Sequence, residues 1–218
     1  MLSGNTLFVG DSITVGLSPF VEVDGRKDTV AKSGASTAQI LNLLKLTESA
    51  LDAKRNMVVL GGTNDIGGGL SADAIFGNLK AIWAIGKTRG LRIIALTIPP
   101  AKGYVGFAGN FEAINAKRKQ VNSLILQSGE ATVDLDKLLG DSSDSDRLSS
   151  NVDGGDHLHP QKAKMGALLN NELAGLSFSF DKSALQSTSG IGTKVAVASG
   201  CAAAGWAGWE LYKHFWGK

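Results

Sequence analysis

The chain has 218 residues, of which 43% are apolar and 19% are charged, so it can bury a sizeable core and is not disordered as a whole. Glycine is frequent at 28 residues, but there are only 4 prolines and no Gly-X-Y period, which excludes a collagen-like chain. The single cysteine excludes an intramolecular disulfide framework and a cysteine-rich zinc site, and the net charge of +2 does not indicate a nucleic-acid-binding protein.

Five short apolar runs, most of them rich in β-branched residues, are typical of parallel strands that are buried on both faces. They lie at 6–10, 28–31, 57–60, 92–98 and 132–135. Apolar residues at helical spacing fill the segments 37–54, 71–89, 111–126 and 160–173. This alternation predicts an α/β fold, in which a five-stranded parallel sheet carries helices on both faces and binds ligands at the carboxyl ends of its strands.

Polar residues follow the predicted strands at that edge. The first strand runs into Gly10-Asp11-Ser12, the second into Gly34 and the third into Gly62-Thr63-Asn64-Asp65. Asp156-His157-Leu158-His159 precedes the last predicted helix. Together these segments supply a hydroxyl, a backbone N–H, a carboxamide, and an imidazole with a carboxylate three residues before it. Those are the groups of an acyl-transfer site.

Each group has an expected role in that chemistry. Ser12 is the candidate nucleophile, because a serine hydroxyl attacks a carbonyl when a base takes its proton. His159 is the candidate base, and Asp156 would orient its ring and stabilise the imidazolium. The N–H groups of Ser12 and Gly34 and the amide of Asn64 are the candidate oxyanion donors.

At these residues the chain resembles the SGNH (GDSL-type) hydrolase family, over about residues 5–175. The family's four blocks are matched in order by Gly10-Asp11-Ser12, Gly34, Gly62-Thr63-Asn64-Asp65 and the DxxH spacing of Asp156 and His159. The resemblance implies a flavodoxin-like three-layer α/β/α sandwich and ester hydrolysis without a metal or an organic cofactor. Within the matched blocks, we interpret Asp11, Gly62 and Asp65 as supports that hold the loops.

The last block offers more than one candidate for two of these roles. His157 lies two residues before His159, and the DxxH spacing selects His159 as the base. Asp153 is the rival of Asp156 for the carboxylate. His157 is expected at the pocket rim or exposed to solvent.

Two further stretches have alternative interpretations. Tyr104, Phe107 and Phe111 would either line an acyl pocket or pack as ordinary apolar residues. The acidic run 141–146 lacks the spaced glycine and the terminal glutamate of an EF-hand loop, which favours a solvated loop over a metal site.

The end of the chain differs from the rest. Residues 177–192 are rich in serine and small side chains and predict a linker after a catalytic domain of residues 1–176. Residues 193–218 predict an apolar helix that contains three of the four tryptophans. Three placements remain open for this helix: in or on a membrane, against another subunit or assembly, or folded back on its own domain. Because no signal peptide opens the sequence, synthesis in the cytoplasm is expected.

Two functions follow from these features. The first is a serine ester hydrolase that cleaves a carboxylic ester, of either an O-acetyl sugar or a lipid, and has no nucleic-acid partner. The second is a docking component of a larger particle, such as a virion or an envelope complex, which would carry a hydrolase fold and attach through residues 193–218.

Overall fold

The computed structural model describes residues 1–176. The predicted linker at 177–192 and the predicted apolar helix at 193–218 lie outside the described residues. The chain begins with β1 (Leu2–Ser3), which pairs in parallel with β3 (Val23–Asp24) in a small separate sheet.

The main sheet has five parallel strands, as the alternating pattern predicts. They are β2 (Thr6–Gly10), β4 (Lys27–Ala31), β5 (Asn56–Leu60), β6 (Arg92–Leu96) and β7 (Ala131–Val133). Their order across the sheet is β4-β2-β5-β6-β7, which is the flavodoxin-like order. Every residue of β2 and of β5 is buried, as expected for strands covered by helices on both faces.

Helices cover both faces of the sheet. They are α1 (Ser12–Leu17), α2 (Thr37–Leu46), α3 (Thr63–Gly67), α4 (Ala72–Thr88), α5 (Phe111–Leu126), α6 (Leu135–Leu139) and α7 (Lys162–Gly175). The helices α2, α4 and α5 pack in a row, and α1 packs against α7. The predicted three-layer α/β/α architecture is confirmed in the part of the chain that the structure describes.

The main core lies between the sheet and the row of α2, α4 and α5. Strand residues that alternate along the chain, such as Leu7 and Val9, meet the apolar faces of these helices. Ile40 in α2 and Ile82 in α4 are fully buried there. Burying a side chain of this size contributes roughly 1.5–3 kcal/mol, so this layer supplies much of the stability that holds the loops at the sheet edge.

Two predicted elements end earlier than their apolar pattern indicates. The first predicted helix stops at Leu46 because Thr47 leaves the helical conformation, with φ −122° and ψ 34°, and its hydroxyl donates to the Leu43 carbonyl. A short 3₁₀ turn, Glu48–Leu51, follows. The predicted strand 92–98 stops at Leu96, because the Ile98 N–H bonds to a side chain, Asn122, instead of a strand.

The last predicted strand also changes its bounds. Its described range is Ala131–Val133, and Leu135 begins α6. The cause is local, because the Asp134 carboxylate accepts the N–H of Lys137 and so caps the helix. The acidic run 141–146 lies in the long loop between α6 and α7, which contains two isolated bridges, Gly140 with Leu148 and Asp153 with Pro160.

Gly62 requires glycine, and this requirement can be tested. Its φ is +117°, and a Cβ atom placed there would lie 2.7 Å from Cδ1 of Ile98. We expect Gly62→Ala to lower the free energy of unfolding by about 1–3 kcal/mol in chemical denaturation. The matched control is Gly77→Ala, inside α4 with open space around it, which should raise the free energy of unfolding by about 0.5–1 kcal/mol. Equal effects of the two substitutions would contradict this explanation.

Candidate active site

The structure brings three sequence-predicted residues into one hydrogen-bonded chain. Ser12 is the first residue of α1, directly after β2, and its Oγ lies 2.9 Å from Nε2 of His159. Nδ1 of His159 lies 2.6 Å from Oδ2 of Asp156. Ser12 and His159 are 147 positions apart in the sequence. Such a chain can move a proton from a hydroxyl to an imidazole while a carboxylate holds the ring.

The loop before α7 fixes the carboxylate and the ring by local hydrogen bonds. Oδ1 of Asp156 accepts the backbone N–H of Leu158 at 3.0 Å and that of His159 at 2.8 Å. Burial opposes ionisation of Asp156, but the bonds from His159 and the two backbone N–H groups outweigh it and lower the pKa to about 2. Asp156 is therefore a carboxylate at neutral pH, which suits it to hold an imidazolium.

The candidate oxyanion donors come from the other two strand ends. Gly34 lies between β4 and α2 with φ +75°, in the left-handed region that favours glycine. Asn64 lies in the first turn of α3, and its Nδ2 donates to the Ala35 carbonyl at 3.0 Å. This bond ties the third block to the second. Because a carboxamide carries two N–H donors, the second stays available for a substrate oxygen.

Asp65 links the same two loops through hydrogen bonds to its carboxylate. Its Oδ2 accepts the Thr37 backbone N–H at 2.8 Å, and its Oδ1 accepts the Thr37 hydroxyl at 2.8 Å. Asn78 of α4 donates to the same hydroxyl. Asp65 and Thr37 are both buried. The carboxylate thus anchors the start of α2 to α3.

Asp11 is a fully buried carboxyl group beside Ser12. Its Oδ1 accepts the N–H of Ile13 at 3.0 Å and so caps α1, and its Oδ2 has no hydrogen-bond partner among the described residues. Burial raises the pKa of Asp11 to about 6, against the opposing effects of the Ile13 N–H and of His159. Asp11 therefore changes charge just below neutral pH, inside the core and next to the candidate nucleophile.

The three aromatic residues proposed for an acyl pocket pack with the core. Phe107 is buried, the ring of Tyr104 meets it edge-on at 5.0 Å, and Phe111 packs against the same apolar cluster. A Cβ atom at Gly67 would lie 2.7 Å from the Phe107 ring, so Phe107 rests on α3. None of the three is among the described residues that line the cavity beside Ser12.

The cavity beside Ser12 has a volume of 270 Å³ and is lined in part by apolar side chains of α1 and α7. A second cavity, of 620 Å³, is lined by the loop that carries His159 and by the start of α7. The two cavities share His159, Pro160 and Lys162. The smaller one is lined by Ser12, Ile13, Val15, Gly16, Leu17, Ser33, His159, Pro160, Lys162 and Met165. Nothing in the sequence pattern singled out Lys162, because its position at both cavities depends on how α7 packs.

The rival residues of the last block form a pair of their own. Nδ1 of His157 lies 2.5 Å from Oδ2 of Asp153, and the His157 N–H also bonds to that carboxylate. His157 has φ +61°, an uncommon conformation for a residue with a side chain. His157 and Asp153 line a different cavity, of 380 Å³, together with residues of the loop 141–150. The two histidines of this block therefore have separate carboxylate partners.

Within residues 1–176, no group of three or more His, Cys, Asp or Glu side chains is arranged to hold a metal ion. The same part of the chain contains no helix long and apolar enough to cross a bilayer.

The family of this chain follows from a match with a known protein family. Residues 8–164 match the family described as GDSL-like Lipase/Acylhydrolase. The chain belongs to this family. It is therefore a carboxylic ester hydrolase. No curated protein sequence gives a match.

Solved structures of lipases and esterases share the fold. A GDSL-like lipase from Bacteroides thetaiotaomicron is 19% identical, with a TM-score of 0.62, covering 80% of this chain and 89% of the other. The lipase/acylhydrolase from Enterococcus faecalis is also 19% identical, with a TM-score of 0.58 and coverages of 79% and 96%. A psychrotrophic esterase from a Pseudoalteromonas species, inhibited by monoethylphosphonate, is 15% identical, with a TM-score of 0.54 and coverages of 79% and 95%.

The buried Asp11 predicts a pH dependence of stability in this GDSL-family chain. Its pKa of about 6 in the folded state exceeds the ordinary value of 3.8, so the folded state holds this proton more tightly than the unfolded state. The resulting stabilisation is full below about pH 4 and is lost as the pH rises through about 6. By this linkage, Asp11→Asn should become more stable relative to the parent by roughly 2.5 kcal/mol between pH 4 and pH 8.

Chemical denaturation of both proteins across that range measures the difference, and other titrating groups cancel in the comparison. Parallel stability curves for the parent and Asp11→Asn would show that Asp11 does not titrate abnormally.

Proposed function

We propose that the chain is a serine esterase that removes a short acyl group, acetyl above all, from an O-acylated sugar. The mechanism proposed is a Ser12–His159–Asp156 acyl-enzyme pathway. The observation that carries this proposal is the 2.9 Å contact between Ser12 Oγ and His159 Nε2, because it couples a nucleophile directly to a base.

In the first half-reaction, Ser12 Oγ attacks the ester carbonyl carbon while His159 Nε2 takes the hydroxyl proton. The carbonyl oxygen becomes an oxyanion, which the N–H groups of Ser12, Gly34 and Asn64 would stabilise. One such donor is worth about 2.7–4 kcal/mol of the barrier. The tetrahedral intermediate then collapses, the bond to the alcohol oxygen breaks, and His159 returns its proton to that oxygen. The products of this step are a free alcohol and an acylated Ser12.

In the second half-reaction, a water molecule takes the place of the alcohol. His159 accepts a proton from the water, the oxygen attacks the acyl carbon, and the bond to Ser12 Oγ breaks as His159 returns the proton to it. The acid product leaves, and the free serine is restored. In both halves Asp156 stays ionised. Burial raises its pKa, but hydrogen bonds from His159 and the backbone outweigh this effect and lower the pKa to about 2.

The size and exposure of the site support a short acyl group on a larger alcohol. The cavity that contacts both Ser12 and His159 has 270 Å³, below the range of about 300–1,000 Å³ that encloses drug-sized ligands. The side chains of His159 and Asp156 are 42% and 49% exposed, so a bulky sugar can approach from solvent. A lipid-type ester, whose acyl chain needs a longer enclosed channel, is the alternative substrate that the experiments below distinguish.

Covalent labelling tests the role of Ser12. A fluorophosphonate probe should label the parent protein on the peptide that contains Ser12, and Ser12→Ala should lose labelling and more than about 10³-fold of esterase activity. Ser33→Ala is the matched control, because Ser33 is the other serine that lines the cavity and should leave labelling intact. Labelling that survives in Ser12→Ala, or activity equal to that of the parent, would refute the proposal.

Acyl-chain length tests the substrate class. The parent should hydrolyse 4-nitrophenyl acetate with a higher kcat/KM than 4-nitrophenyl decanoate, because the cavity beside Ser12 is small. Acetate release from an acetylated oligosaccharide should accompany this preference. A preference for the decanoate ester would instead assign the chain to lipid-type esters.

The two histidines can be told apart by matched substitutions. His159→Asn should lower kcat by more than about 10³-fold, because Ser12 loses its base. His157→Asn should stay within about threefold of the parent, since asparagine tolerates the positive φ of that position and the hydrogen bonds of His157 to the described residues go to Asp153. Steady-state kinetics on 4-nitrophenyl acetate measure both. A larger loss of kcat in His157→Asn than in His159→Asn would contradict the assignment of His159 as the base.

A further inference from the structure

The cavity beside Ser12 has one positively charged side chain that the proposed mechanism does not use. Lys162, the first residue of α7, lines both the 270 Å³ cavity and the 620 Å³ cavity. Of the described residues around the smaller cavity, it is the only lysine, arginine, aspartate or glutamate. A substrate in this cavity therefore meets a single permanent charge, and that charge is positive.

The stem of Lys162 lies against α1, the helix that begins with the candidate nucleophile, at Gly16. A Cβ atom placed on Gly16 would lie 3.3 Å from both Cγ and Cε of Lys162, so the stem crosses the helix where α1 has no side chain. Lysine can bury its methylene groups in this way while its ammonium group stays in water. The charge is thereby held at the cavity through packing of the stem and not by an ion pair.

Within the described residues, the ammonium group of Lys162 has no partner and can meet a ligand. Among residues 1–176 it forms no hydrogen bond and no ion pair. The acidic residue among those that line the larger cavity, Asp156, is already engaged by three donors, the backbone N–H groups of Leu158 and His159 and the His159 ring. The charge of Lys162 is therefore not neutralised by a carboxylate of the described chain.

The position of Lys162 relative to His159 indicates which part of a substrate it meets. The alcohol oxygen must receive its proton from His159 Nε2, so the alcohol part of the ester lies beside His159. Both cavities that contact His159 also contact Pro160 and Lys162. An anionic group on the alcohol would thus lie next to the ammonium group while the ester bond lies at Ser12.

We infer that Lys162 makes the site selective for esters whose alcohol part carries an anionic group, such as the carboxylate of an acidic sugar. This inference rests on the proposed function and adds the charge of its substrate. Lys162 acts on substrate binding and takes no part in the proton transfers. Its contribution is a contact between two solvent-exposed charges, which is worth about two- to fivefold in binding.

A pair of acetyl esters that differ only in charge tests this inference. We would measure kcat/KM for 3-acetoxybenzoate and for its neutral analogue 3-acetoxybenzamide, and take their ratio for each protein, so that the intrinsic reactivity of each ester cancels between proteins. Lys162→Gln removes the charge with little change in size. Lys164→Gln is the matched control, because Lys164 is exposed on the same turn of α7 and lines neither cavity.

The ratio in favour of the anionic ester should fall about two- to fivefold in Lys162→Gln, through KM, and further in Lys162→Glu. It should equal the parent ratio in Lys164→Gln. Raising the salt concentration from 10 mM to 0.5 M should reduce the parent ratio toward that of Lys162→Gln, since salt screens exposed charges.

Two outcomes would overturn the inference. One is a ratio in Lys162→Gln equal to that of the parent, including the case in which kcat/KM falls equally on both esters through a structural effect, and the other is a ratio that falls as much in Lys164→Gln as in Lys162→Gln. Either result leaves the proposed function intact as long as Ser12→Ala is inactive on the neutral ester. Hydrolysis of that ester by Ser12→Ala would instead refute the proposed function itself.

Discussion

The parallel register of β2 with its two neighbours is the constraint on which the rest of the site depends. Gly10, the last residue of β2, is aligned with Ala31 of β4 on one side and Leu60 of β5 on the other. The three strands therefore end at one level. The loops that leave them carry the candidate nucleophile Ser12 and the candidate oxyanion donors Gly34 and Asn64. A slip of one residue would turn each strand's side chains to the opposite face and separate these loops.

The loop that carries Asp156 and His159 does not follow a strand of the sheet, so packing has to bring it to the site. The loop before α7 is closed by the Gly154 N–H, which bonds to the His159 carbonyl at 2.9 Å, and by the bridge between Asp153 and Pro160. The helix α7 then packs against α1, the helix that begins with Ser12. The same packing places the Lys162 stem on α1, so the geometry of the catalytic chain and the charge at the cavity share one structural cause.

The sequence predicted the features that depend on local pattern and motif. Continuous β-branched runs identified the five strands of the main sheet, and the ordered blocks identified Ser12, Asp156 and His159, which the structure brings together. It did not predict features that depend on distant packing. The raised pKa of Asp11 follows from burial that only the assembled layers create, and the contact with α3 decides which of the two interpretations left open for Phe107 holds. The end of α2 at Leu46 has a local cause that apolar spacing does not reveal, the bond from the Thr47 hydroxyl to the Leu43 carbonyl.

The central claim is that Ser12 becomes covalently acylated during turnover, and trapping that species tests it most directly. Mixing the parent protein with excess 4-nitrophenyl acetate, quenching in acid within milliseconds and mapping the peptides by mass spectrometry would locate the acyl group. We predict an acetyl group on the peptide that contains Ser12, formed at the rate of 4-nitrophenol release and lost at the rate of acetate release. An acetyl group on another residue, or turnover through no acylated serine, would contradict the mechanism.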